Sequence, residues 1–139
     1  MTQTIAFELV SPEARLVSEP VVLANIPGAE GVFGVGANHS ALVATLQAGV
    51  VELYLEGQTV PRKIFIAGGF ADVTGESCTV LAEQAVNVND LNQADLERVL
   101  KDLTEDLGLA QEAADKARIE RKMGLIKAQL SAVTGKLVF

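Results

Sequence analysis

At Val88 the hydrophobic period of the sequence changes, and the change divides what it can fold into. Upstream, apolar residues alternate at Ile5-Phe7-Leu9, Val21-Leu23, Val51-Leu53-Leu55 and along Lys63 to Ala67. Turn formers separate the runs at Ser11-Pro12, Pro27-Gly28, Glu56-Gly57, Gly68-Gly69 and Thr74-Gly75. Short runs of period two with turn signals between them predict an antiparallel β-sandwich or barrel of roughly eight to ten strands over residues 1–88.

Downstream the period is helical, and residues 89–139 are expected to form a second domain, an antiparallel α-helical hairpin. Asp90 is the expected N-cap, with Gln93 as its capping-box partner. Leu96, Val99, Leu100, Leu103 and Leu107 share one stripe, and Gly108 reads as the stop of a helix of about 17 residues. A second helix is expected from Leu109 to Thr134, with Ile119, Met123, Ile126, Leu130 and Val133 on one stripe and Ala110, Ala113, Ala117, Gly124 and Ala128 on another. One hairpin buries a single seam, so two roles stay open: a moving element, or a tail packed permanently in place.

Composition narrows the chemistry. The 139 residues are 49% hydrophobic and 21% charged, in the range of a folded globular protein. No apolar run reaches the roughly 18 residues of a bilayer-spanning helix, and the start MTQTIAFELV lacks a basic, apolar leader, so a cytosolic address without membrane insertion is expected. A lone cysteine, Cys78, and a lone histidine, His39, argue against an internal disulfide, a thiolate cage or a zinc site. We expect neither a metal nor a cofactor.

The net charge is −7. Up to Val88 there are three basic residues, Arg15, Arg62 and Lys63, against nine acidic ones, a balance that disfavours nucleic acid. From Lys116 onward, Lys116, Arg118, Arg121, Lys122, Lys127 and Lys136 face one acid, Glu120. Such a stretch reads either as a solvated helix face or as a handle for an acidic protein surface.

Between Pro27 and Gly36, Gly28, Gly31, Gly34 and Gly36 crowd around Val32, Phe33 and Val35. A phosphate cradle needs its glycines to open a helix, but here Ala37-Asn38-His39-Ser40 leads into the β-like run LVATL, so the segment reads as a loop that presents apolar surface. No Gly-x-Ser-x-Gly surrounds a serine, His39 has no marked triad partners, and Glu8, Glu52, Asp72 and Glu83 read as a solvated strand face. Cys78 reads as a small apolar residue of the core. No catalytic residue is expected.

Five segments in order carry a resemblance: FELVSPEARLVS at Phe7 to Ser18, PGAEGVFGV at Pro27 to Val35, HSALVATLQAGVV at His39 to Val51, AGGFADV at Ala67 to Val73 and TVLAEQAV at Thr79 to Val86. Together with the Ala-rich hairpin they span nearly the whole sequence, which resembles the epsilon subunit of F-type ATP synthases, called delta in mitochondria. The resemblance implies a non-catalytic subunit of the rotor's central stalk, clamped to the gamma subunit and resting on the c-subunit ring. It implies a peripheral position on the cytoplasmic face of a bacterial plasma membrane. The alternative reading is a free-standing adaptor whose sandwich and hairpin bind separate proteins.

The resemblance also implies sites. The ring-facing and gamma-facing contacts map to Glu30, Gly31, Val32, Phe33, Gly34, His39 and Leu42, with Phe33 expected as an anchor worth about 1 to 3 kcal/mol when desolvated. Many relatives carry an acid where Val32 stands and Pro-Gly where this sequence has Ala37-Asn38. Relatives that bind ATP on the hairpin use a Leu-Asp-x-x-Arg-Ala pattern. Here Leu91, Asn92, Ala94 and Asp95 occupy it, with a carboxylate in place of the arginine, so ATP binding is expected to be weak or absent. The family's inhibitory contact with an acidic segment of a beta subunit maps onto Lys116, Arg118, Arg121, Lys122 and Lys127.

Overall fold

A computed structural model describes residues 3–135. The protein divides into two compact units, Met1–Asn87 and Val88–Phe139. The first holds ten strands: β1 (Ile5–Val10), β2 (Arg15–Val21), β3 (Leu23–Gly28), β4 (Gly31–Gly36), β5 (Leu42–Leu46), β6 (Gly49–Tyr54), β7 (Arg62–Ile66), β8 (Gly69–Val73), β9 (Ser77–Ala82) and β10 (Ala85–Asn87).

Hydrogen bonding links them in the order β10-β7-β6-β3-β5-β8-β9-β1-β2, with β4 on β3. Between β3 and β5 only Gly28 and Leu46 pair. The sheet folds at that corner into the two layers of a sandwich, so the sequence reading of fold class holds. One pair departs from the antiparallel pattern: β1 and β9 run parallel, Phe7 beside Cys78 and Leu9 beside Val80. Such a pair joins the two ends of the domain's sequence, and no local turn signal marks it.

The alternation works as read. Ile5, Phe7 and Leu9 of β1, Val51 and Leu53 of β6, Ile64 and Ile66 of β7, Ala71 and Val73 of β8, and Cys78 and Val80 of β9 all point into one buried cluster. Each large side group there is worth about 1.5 to 3 kcal/mol of apolar burial. Arg62 at the start of β7 meets Glu19 of β2 at 3.3 Å, an ion pair between strands near opposite ends of the ladder. Both groups are about a third or more exposed, so it contributes little to stability.

The second unit comprises a 3-10 turn (Val88–Asp90), α1 (Gln93–Leu109) and α2 (Ala113–Thr134). Asp90 is not the N-cap; it lies in the 3-10 turn, closed by the Leu91 N–H on the Val88 carbonyl at 3.1 Å. Asn92 caps α1 instead. Its extended backbone (φ −111°, ψ 117°) places its amide oxygen to accept from the Asp95 N–H at 3.1 Å. Gln93 donates to Glu97 at 3.1 Å, so its side group is not reaching back to form a capping box.

Nor does Gly108 stop α1. The helix runs one residue further, and the backbone leaves through an extended Ala110 whose N–H bonds the Asp106 carbonyl at 3.0 Å. α2 begins four residues later than expected from the sequence, at Ala113, and ends on Gly135 in the left-handed conformation at φ 71°. Leu96 of α1 and Ile119 and Leu130 of α2 are buried, with Leu100, Leu103 and Leu107 half-buried, whereas Val99 faces outward. Leu103, Asp106 and Leu109 lie across from Asp115, Arg118 and Ile119 beside the connection, as an antiparallel hairpin requires. Ala113, Ala117 and Gly124 are exposed, so the small-residue stripe lies largely outside the seam.

Gly69 starts β8 at φ 143°, and a Cβ added there would collide with the Leu81 carbonyl oxygen. Gly57, at φ 80°, has open space around it. Gly69→Ala is therefore expected to cost at least about 2 kcal/mol, against about 1 kcal/mol for Gly57→Ala, which bears only the backbone penalty. Urea unfolding of both variants measures the difference; equal losses would contradict the collision.

Candidate functional site at the β3–β4 hairpin

The glycine-rich segment is a strand pair rather than a free loop. Gly28 and Gly31 face each other across a two-residue turn, Ala29-Glu30. Mirror-image hairpin turns need positive φ within those two residues, yet neither has it; Gly31 takes the excursion instead, at φ 135°. Gly28 is required for a different reason. A Cβ there would lie 2.7 Å from the Gly31 carbonyl oxygen and 3.0 Å from the Phe33 ring, which seats on the glycine. The hairpin base is tied to the second layer by the Ala29 N–H on the Thr45 carbonyl (2.9 Å) and the Gln47 N–H on the Pro27 carbonyl (3.0 Å).

After β4 the backbone turns through Gly36-Ala37-Asn38-His39, closed by the His39 N–H on the Gly36 carbonyl at 3.3 Å. Asn38 is the one described non-glycine residue at positive φ, 63°. Asparagine tolerates that region best after glycine, so Asn38 can stand where the turn needs a positive φ. Its backbone N–H donates to the Gly75 carbonyl at 3.1 Å and its amide group to Gln3 at 3.4 Å. The His39 Nδ1–H donates to the Ser40 carbonyl at 2.8 Å, which fixes the ring and leaves Nε2 for a partner.

These segments and β5 enclose a groove of about 470 Å³. It gathers five residues of the sequence-predicted set, Glu30, Gly31, Phe33, His39 and Leu42, together with Val43, Ala44 and Thr45. Among its lining residues Glu30 is the only carboxylate. Val32 and Gly34 lie on β4 outside it. Phe33, the expected anchor, packs its ring on the core cluster and is half-buried, while Val32 is 70% exposed.

Val43, 74% exposed, completes the apolar surface and was missed, because LVATL reads as apolar on both faces. A second exposed apolar pair was missed as well. Phe70 and Leu81 face each other across β8 and β9 at 55% and 53% exposure, beside Val10 and Pro12 along a groove of about 330 Å³. The alternation in GFADV, with Ala71 and Val73 inward, was the available signal.

Burial, then the Asp72 charge, raises the Cys78 thiol to about 11, so it stays protonated at neutral pH and is a poor nucleophile. Among the described residues no group of three His, Cys, Asp or Glu side groups is placed to hold a metal ion. No described helix is long and apolar enough to cross a membrane.

On the hairpin, Leu91 is half-buried, and Asn92, Ala94 and Asp95 are exposed around the start of α1. The Asn92 cap occupies an amide that an incoming anion would use, and the Asp95 carboxylate, 3.4 Å from Arg98, sets a negative charge in the first turn. Lys116, Arg118, Arg121 and Lys122 are exposed on α2, and Lys127 is half-buried. Arg118 pairs with Asp115 at 3.4 Å. Lys136 lies outside the described residues.

Two family models match the sequence. The beta-sandwich domain of the ATP synthase delta/epsilon chain matches residues 4–88, and the C-terminal domain of the ATP synthase epsilon chain matches residues 92–139. Among curated relatives, the ATP synthase epsilon chain of Rhodospirillum centenum is 40% identical over 140 residues, covering 98% of this protein and 96% of its own length. That of Mesorhizobium japonicum is 40% identical, covering 99% and 98%. Among solved structures, a subunit from the Euglena gracilis mitochondrial ATP synthase, in an assembly containing the c-ring, superposes with a TM-score of 0.82 at 24% identity over 94% of this protein and 81% of its own length. A subunit from the Tetrahymena thermophila enzyme's central stalk and c-ring gives 0.67 at 13% identity, over 95% and 98%.

Proposed function

The protein belongs to the ATP synthase epsilon-chain family, and on that premise we propose that it is a non-catalytic subunit of the rotor's central stalk. In this reading it couples the turning c-ring to the gamma shaft and the catalytic head. What carries the reading is the groove that joins Glu30, Gly31, Phe33, His39 and Leu42 on a stiff sandwich. A part that passes torque between two partners needs a core that does not slide and two separate faces, and a close-packed two-layer sheet supplies the first.

The two exposed apolar areas supply the faces. Around the groove, Val32 and Val43 offer apolar contact and Glu30 a charge, which suits the loops of the c-ring. The Phe70–Leu81 pair, on the outer face of β8 and β9, suits the gamma subunit. Membrane association then runs through these partners, with the subunit peripheral at the cytoplasmic face of a bacterial plasma membrane. The exposed cations Lys116, Arg118, Arg121 and Lys122, with Lys127, form the surface offered to an acidic segment of a beta subunit when the hairpin restrains hydrolysis.

The tagged protein is expected to retain purified gamma and c-ring; a protein that retains neither refutes the rotor reading. With Asn92 capping α1 and Asp95 in its first turn, titration calorimetry of the isolated protein with ATP is expected to give no saturable heat below the millimolar range. A micromolar complex would overturn that. Removing residues 89–139 is expected to raise ATP hydrolysis by the reconstituted enzyme several-fold, whereas an unchanged rate would leave the hairpin a structural accessory.

A further inference from the structure

Three described strands of the sandwich have one side wholly unpaired, and two of them are defended against adding another strand. β10 is three residues long. β2 carries Arg15, Glu19 and Pro20 along its length. Short edges, charges and proline are the usual means of blocking edge-to-edge pairing. β4, Gly-Val-Phe-Gly-Val-Gly, has no charge and no proline, and pairs only with β3.

The direction of its backbone groups follows from β3. The Pro27 carbonyl and the Ala29 N–H bond to the β5 side, so the odd-numbered positions of this hairpin arm face away from β4. The even ones, Ala24, Ile26 and Gly28, bond across to Val35, Phe33 and Gly31. Alternation in an antiparallel ladder then turns the N–H and C=O groups of Val32 and Gly34, and the N–H of Gly36, outward; the Gly36 carbonyl is taken by His39. The outward row runs from Gly36 down to the Ala29-Glu30 turn at the strand's start, where Glu30 is the nearest carboxylate in sequence.

We infer that β4 is a strand-addition edge, which pairs with an extended segment of a neighbouring rotor subunit carrying a lysine or arginine opposite Glu30. Main-chain hydrogen bonds would give this contact its strength and the flanking side groups its specificity. The cationic requirement follows from Glu30 and from a sandwich domain with nine acidic and three basic residues. The inference rests on the rotor reading above.

Residue-resolved amide hydrogen exchange on the full-length protein, free and assembled with purified gamma and c-ring, tests it. Assembly is expected to slow the Val32, Gly34 and Gly36 amides by at least about 100-fold, with little change at Phe33 and Val35, which are already bonded to β3. Assembly without that alternating protection overturns the inference and leaves the rotor reading standing. The same pattern in the free protein at high concentration also overturns it, because the edge then pairs with a second copy. Failure to assemble refutes the rotor reading and this inference with it. As a second measurement, Val32→Pro, which deletes one outward N–H, is expected to weaken assembly about tenfold more than Val32→Ala, which keeps it. Equal weakening contradicts a main-chain contact.

Discussion

The sandwich turns on one strand. β3 bonds to β4 through one set of its backbone groups and to β6 and β5 through the other, so it belongs to one layer while its end, at Gly28, carries the corner into the second. Everything about the candidate site follows from that corner. The Ala29 and Gln47 amides fix the hairpin base to the second layer, Phe33 can close over the core only because Gly28 has no Cβ, and the groove is lined by the hairpin, His39 and β5. A site held by main-chain bonds at both ends keeps its shape under load.

The helical unit is stabilised differently. Its seam is narrow, with Leu96, Ile119 and Leu130 the buried apolar residues among those described, and much of the remaining surface is charged. A single seam contributes few of the apolar-burial increments that the sandwich core accumulates.

Much of the fold was legible because each sheet layer buries one side: Ile5, Phe7 and Leu9 could only point inward together, and the strands followed. The parallel pairing of β1 with β9 was not legible, since it depends on which distant strands meet, and neighbouring residues do not encode that. At the start of α1 the sequence pointed to Asp90 as the cap; the 3-10 turn at Val88–Asp90 takes that residue up and the helix begins two residues later on Asn92. The site was half legible. Glycine spacing marked the hairpin, yet which apolar residue projects, Val32 or Phe33, depends on the pleat, and a one-residue shift exchanges the two faces.

The central claim is that this protein transmits rotation and performs no bond chemistry of its own. The most direct measurement is the number of protons pumped per ATP hydrolysed by reconstituted ATP synthase in sealed vesicles, with and without this subunit. The account predicts coupled pumping with it and, without it, hydrolysis by the head with pumping near zero. An unchanged proton-to-ATP ratio in its absence would contradict the account.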